Sequence, residues 1–170
     1  MGTKNEFVEL QELLKDKVRS HPFLSREWKE SDRKLRLSEI LNDLGFLPEY
    51  DGEYDAIAVE YRNHRYVCDV IKVNILSIFS VIAQFDEDNL DEEEILAIMD
   101  AVQDANICGV MAKVYVCGGE IYVSSEQFLG KRDIGEDEVA FLIKCMDEAA
   151  RKFCRSVKVN DFINEYVVCR

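Results

Sequence analysis

The chain is expected to be an α+β protein: a five-stranded, mainly antiparallel sheet with packed helices. Three observations predict it. Gly118-Gly119 separates two alternating runs, KVYVC and EIYVSS, and so marks a two-residue hairpin. A second set of alternating runs, AIAVEY and RYVCDVI, is joined by a polar turn and followed by a longer apolar segment. Acidic amphipathic patterns flank the Gly-Gly hairpin on both sides, so helices must cover at least one sheet face.

The elements follow in the order α–α–β–β–β–α–β–β–α. Asn5 to Arg19 places Phe7, Leu10, Leu14 and Val18 at helical spacing, and Pro22 stops that helix. Residues 23–30 read as irregular, with Phe23, Leu24 and Trp28 as anchors. From about Ser31 a second helix carries Leu37, Ile40, Leu41 and Leu44, with Gly45 as its C′ residue. Glu49 to Asp55 reads as a loop. Ala56–Tyr61 and Arg65–Ile71 are the first two strands, with Arg62, Asn63 and His64 as their turn. A third strand, about Val73 to Phe85, is apolar on both faces, as a doubly covered strand or an interface strand would be. Asp91 followed by Glu94 suits a capping box. The helix it opens shows Ile95, Ile98, Met99 and Val102 as its apolar stripe. After the hairpin, the last long helix spans about Glu136 to Val157. The tail has no clear period and reads equally as a short helix or an edge strand. The expected organisation is an N-terminal helical arm (1–30), an α+β domain (31–157) and a C-terminal tail (158–170).

Charge excludes some functions. The chain has 34 acidic and 21 basic residues and a net charge of -13. Such a field repels nucleic acid and anionic lipid. Residues 1–36 are slightly basic, with nine Lys/Arg against seven Asp/Glu, and precede a strongly acidic body. The apolar run Val70 to Phe85 is interrupted by Lys72, Asn74 and Gln84, so no membrane span is expected. The N-terminus shows no apolar signal region. Six cysteines without a C-x-x-C pair, most at core-facing positions, suggest a reducing cytoplasm.

No residue pattern announces chemistry. Counting from Asp86, an EF-hand would need Gly at Asp91 and Glu at Ala97, so the acidic patch fails as a calcium loop. None of the cysteines sits beside a histidine or at a helix start, the settings that activate a thiol. His21 and His64 read as surface residues. Ser124-Ser125 lacks a nucleophile elbow, and no P-loop or dinucleotide glycine pattern is present. No catalytic residue, cofactor or metal is expected.

What remains is apolar surface. Helices would cover the sheet face bearing Ile57, Val59, Val110 and Val114. The opposite face would carry Val67, Leu76, Ile78, Ile82, Met111, Tyr115 and Tyr122. A patch of that size marks a partner or dimer interface, unless the N-terminal helix or the tail folds back over it.

The stretch Ser31 to Val157 resembles the YbjN-like family and the related fold of class I type III secretion chaperones. The resemblance rests on the α–β–β–β–α–β–β–α order and on three stretches: ILNDLGFLPEYDGEYDAIAVEY, FDEDNLDEEEILAIMDAV, and VYVCGGEIYVSSEQFLG before DEVAFLIKCMDEAARKF. It implies a helix-packed sheet, often a homodimer, with no catalytic residues to transfer. Secretion chaperones of this fold bind an extended client segment through apolar patches. The arm and the tail depart from that pattern. The expected function is a cytoplasmic, non-enzymatic protein-interaction or chaperone-like module, binding a partner polypeptide through the apolar sheet face or along helix 95–102. The alternative is a small-molecule-binding regulatory domain, and a third class is an enzyme.

Overall fold

A computed structural model describes residues 25–71, 75–107, 109, 111–129, 133–159 and 167–169. The expected helix over 5–19 lies outside them. The elements are α1 (Ser25–Asp43), β1 (Glu49–Asp51), β2 (Ala56–Tyr61), β3 (His64–Ile71), β4 (Ile75–Gln84), a 3-10 turn (Glu87–Asn89), α2 (Glu92–Ile107), β5 (Lys113–Cys117), β6 (Glu120–Phe128), α3 (Glu136–Val159) and β7 (Val168–Cys169).

The α+β class is realised, but among the described residues the sheet has seven strands, not five. Its order is β1-β2-β3-β4-β6-β5, with β7 paired to β4. β1 occupies part of the expected Glu49–Asp55 loop and pairs antiparallel with β2, Tyr50 opposite Ile57. Asp51 makes the bend that follows, its Oδ1 accepting from the Glu53 and Tyr54 amides at 2.9 and 3.2 Å. β7 pairs antiparallel with the end of β4, Cys169 opposite Ala83, so part of the tail is an edge strand. Runs of three and two residues are too short to display alternation.

Helix α1 starts at Ser25, through residues expected to be irregular. Between Pro22 and Gly45 the chain holds no glycine or proline, and Arg, Glu and Lys propagate helix readily. Its end is a Schellman motif. Gly45, at φ 85°, donates to the Asn42 carbonyl and Phe46 to that of Leu41, at 2.9 and 3.0 Å.

Contacts divide the molecule into two compact units. The first holds the described residues up to Tyr61, those of Arg65–Ile78 and those of Glu126–Phe141. The second holds the described residues of Arg62–His64, of Phe79–Ser125 and from Leu142 onward. In the first, α1 lies against β2, and Leu37, Ile40, Leu41 and Ala56 to Val59 are all buried. In the second, α2 lies against β5. There Ile82, Val114, Ile121, Val123, Met146 and Phe153 belong to the buried core.

The Gly118-Gly119 turn has φ 57° and 72°, positive at both central residues as a type I′ hairpin requires. Arg62 and Asn63 make a second such turn at φ 51° and 68°. His64 is therefore not part of a surface turn. It opens β3 and is buried.

Candidate interaction surface

The seven residues expected to share an apolar face are not brought to one exposed surface. On β4, Leu76, Ile78, Ser80 and Ile82 alternate onto one side and are all fully buried. Val67 on β3 is buried too. Met111 is half-buried, its carbonyl accepting from Ser125 Oγ at 2.5 Å. The structure does bring Tyr115 and Tyr122 together. They are directly opposite in the β5–β6 register, while Val114 and Val123, the next pair, point the other way into the core. The two rings stack with centroids 5.5 Å apart and planes 11° from parallel. Tyr115 is exposed and Tyr122 half-buried. The Tyr122 hydroxyl donates to Glu120 Oε2 at 2.5 Å, and Gln84 Nε2 donates to Glu120 Oε1 at 2.5 Å. These bonds fix the outward ring.

Helix α2 carries a second apolar surface. Asp91 caps it as the spacing predicts: the Glu94 amide donates to Asp91 Oδ1 at 2.9 Å, and the Asp91 amide to Glu94 Oε2 at 2.8 Å. The expected stripe is corrected, however. The buried face is Ile98, Ala101, Val102 and Ala105, at the i, i+3, i+4, i+7 spacing of one helix side. Ile95 and Met99, expected inside, are 42% and 48% exposed, and Leu96 and Ile107 are 58% and 69% exposed. Asn106 ties the end of the helix to β5 in this orientation. Its side chain donates to the Val114 carbonyl at 2.8 Å and accepts from the Val114 amide at 2.9 Å. These two hydrogen bonds hold the helix to β5 with Ala101 and Ala105 on its buried side, where their small size suits close approach. Exposed Glu92, Glu93, Asp100 and Asp104 surround the outward stripe.

A polar cluster lies inside the same unit. Asp147 of α3 is fully buried, and its Oδ2 accepts from Arg62 Nη1 at 3.0 Å and Arg151 Nη2 at 2.8 Å. His64 faces this carboxylate. Burial pushes the imidazole below its ordinary value, and the Asp147 charge pulls the other way. A histidine beside an aspartate suggests acid–base chemistry. Here both side chains are buried and Asp147 is committed to two arginines, which is the environment of a structural ion cluster. Sequence spacing gave no sign of it, because Arg62 and His64 lie some eighty residues from Asp147.

In the first unit a cavity of about 180 Å³ is lined by Asp32, Arg33, Leu35, Arg36, Glu39, Asp133 and Ile134. Arg33 Nη1 is buried there without a hydrogen-bond partner among the described residues. The volume falls below the roughly 300–1,000 Å³ usual for small-molecule sites. Among the described residues, no group of three or more His, Cys, Asp or Glu side chains is placed to hold a metal ion. No described helix is long and apolar enough to cross a membrane.

No protein-family profile matches the chain, and no curated protein sequence does. Solved structures do. SycH, a type III secretion chaperone of Yersinia pestis solved with a fragment of YscM2, overlaps at a TM-score of 0.47 and 14% identity, over 71% of this chain and 98% of its own. That overlap is too loose to inform binding. An uncharacterized protein from Methanothermobacter thermautotrophicus matches at 0.56 and 16% identity, over 75% of this chain and 97% of its own. YbjN of E. coli matches at 0.55 and 11% identity, over 78% of this chain and 93% of its own. The chain thus has a YbjN-like fold, and at such identities the likeness concerns the fold alone.

Proposed function

We propose that the chain is a non-catalytic protein-interaction module whose second unit docks a partner polypeptide on the outward face of α2. The carrying observation is the exposed stripe Ile95, Leu96, Met99 and Ile107 on a helix whose other side is already fully packed. Helices that face water on one side are ordinarily polar there, and exposed apolar clusters mark interaction sites. Tyr115 and Tyr122 are the second element of the docking surface; stacked aromatics supply contact area at low entropic cost. Val67, Leu76, Ile78 and Ile82 are buried within the chain and are not part of this surface. The acidic rim of α2 selects a partner segment with an apolar stripe and basic flanks. A second copy of the chain is the other occupant the stripe suits, as expected for a homodimer.

The test is the double substitution Leu96→Glu with Met99→Glu, followed by sedimentation velocity and affinity capture from the native host. Unchanged circular dichroism together with loss of a captured partner or of self-association supports the proposal. A partner or dimer retained at unchanged affinity overturns it. Capture should also weaken as salt rises, because the rim charges are exposed.

A further inference from the structure

Helix α1 has two working sides. Leu37, Ile40 and Leu41 carry the fully buried one. Asp32, Leu35, Arg36 and Glu39 recur at the i, i+3, i+4, i+7 spacing of another. With Arg33 they line the cavity of about 180 Å³, which Asp133 and Ile134 ahead of α3 complete. All these residues belong to the first unit, whereas the α2 stripe belongs to the second. Arg33 Nη1 is buried with no hydrogen-bond partner among the described residues. A guanidinium cannot shed its proton in a protein, so it cannot escape burial by turning neutral. A buried charge without a partner is costly, and the donor calls for an acceptor from outside the chain. Arg36 and Glu39 are already paired at 3.5 Å. Asp32 and Asp133 are exposed and form the rim.

The lining decides the ligand. Among the described residues, three carboxylates and two guanidiniums line the cavity. A plain anion would satisfy Arg33 but would meet the surplus of negative charge. A plain cation would suit the rim but leave Arg33 without an acceptor. A zwitterion answers both. Size narrows the class further. Liquid water takes about 30 Å³ per molecule, so the cavity holds roughly six non-hydrogen atoms, and a few more when they are covalently linked. That is too little for a nucleotide and enough for alanine. Half-buried Leu35 and buried Ile134 offer apolar contact to a short side chain. We propose that this cavity binds a free α-amino acid with a small side chain. Its carboxylate accepts from Arg33 Nη1, and its ammonium donates to Asp32 or Asp133 at the rim. The ligand then links α1 to the segment ahead of α3, and stabilises the folded chain by mass action.

The experiment is thermal unfolding of the full chain with glycine, L-alanine and L-serine as probes. At least one should raise the melting midpoint saturably. Alanine amide lacks the carboxylate and N-acetylalanine lacks the ammonium, so neither should. Sodium acetate and inorganic phosphate, which carry only the negative charge, should not either. Arg33→Gln should weaken amino-acid binding about tenfold or more, the loss of one charge-assisted hydrogen bond. The same change removes a buried charge that has no partner, so the unliganded variant should melt no earlier than the unaltered protein. Asp32→Asn with Asp133→Asn should weaken binding and leave the unliganded midpoint unchanged. The proposal is overturned if none of the three amino acids shifts the midpoint, or if acetate or phosphate stabilises the chain as well as they do. Undiminished amino-acid binding in Arg33→Gln overturns it too. So does an earlier unliganded midpoint in that variant, which would make Arg33 a structural residue.

Discussion

Removing the two arginines that hold Asp147 is expected to destabilise the protein more than removing Asp147 itself. Exposure decides the sign. The Asp147 side chain is 1% exposed, whereas Arg62 and Arg151 are 52% and 44% exposed. In Asp147→Ala both guanidiniums return to water that already half surrounds them. The protein loses two charge-assisted hydrogen bonds but also the cost of burying a carboxylate, and the net loss is about 1–2 kcal/mol. In the double variant Arg62→Ala with Arg151→Ala, that carboxylate stays in the interior without its partners. Two charges at about 4 Å attract by about 4 kcal/mol at an effective dielectric near 20. Half-exposed partners are screened, so each arginine is worth about 2 kcal/mol. The double variant should therefore lose about 3–5 kcal/mol, a large share of the 5–15 kcal/mol typical of a domain. Asp147→Asn, which keeps the shape and drops the charge, should fall between. Urea unfolding followed by circular dichroism reads the midpoints, with slopes checked for equality. If Asp147→Ala proves as destabilising as the double arginine variant, burial asymmetry does not govern this cluster and the reasoning fails.

His64 gives a pH prediction. Its folded value lies below the ordinary 6.5, so below that pH the unfolded chain binds a proton that the folded chain resists. Stability from this site is present above 6.5 and is lost as pH falls toward the folded value. His64→Gln should show a smaller drop in urea midpoint between about pH 7.5 and 5.5; an equal drop would place the effect elsewhere. At the start of α2, Asp91→Ala removes one half of a reciprocal cap. The expected cost is about 1 kcal/mol, with faster amide exchange confined to the first turn of α2. Protection unchanged there would mean that packing alone holds the helix start.

What the sequence showed and what it hid follow from the range of the forces involved. The Gly118-Gly119 hairpin, the Gly45 terminus and the Asp91–Glu94 cap depend on neighbours within a few residues, and each was legible. β1 was not, and β7 was legible only as one of two readings of the tail, since each is defined by the strand beside it. The rotation of α2 was misjudged for a specific reason. Ile95, Ile98, Met99 and Val102 form as good a stripe as Ile98, Ala101, Val102 and Ala105, and hydrophobicity favours the first. The observed orientation goes with packing against β5 and with Asn106 reaching the Val114 backbone, contacts between elements.

The misjudged rotation is also what leaves α2 with an exposed apolar face, and magnitudes limit what that face can do alone. Burying a large apolar side chain completely is worth about 1.5–3 kcal/mol. Ile95, Leu96, Met99 and Ile107 are about half exposed, so covering all four gains about 3–6 kcal/mol. Association itself costs about 4–15 kcal/mol in lost freedom. The stripe by itself therefore falls near zero net affinity, and stable docking requires a second contribution from the same unit. Tyr115 with Tyr122 and the acidic rim are the groups available. Leu96→Ala should then weaken binding about tenfold, the equivalent of about 1.4 kcal/mol, and Tyr115→Ala should weaken it by a comparable factor. Measured by titration calorimetry against a captured partner or a second copy of the chain, a tenfold loss from Leu96→Ala with none from Tyr115→Ala would confine the interface to the helix. Its affinity would then have to come from charge, and would collapse at high salt.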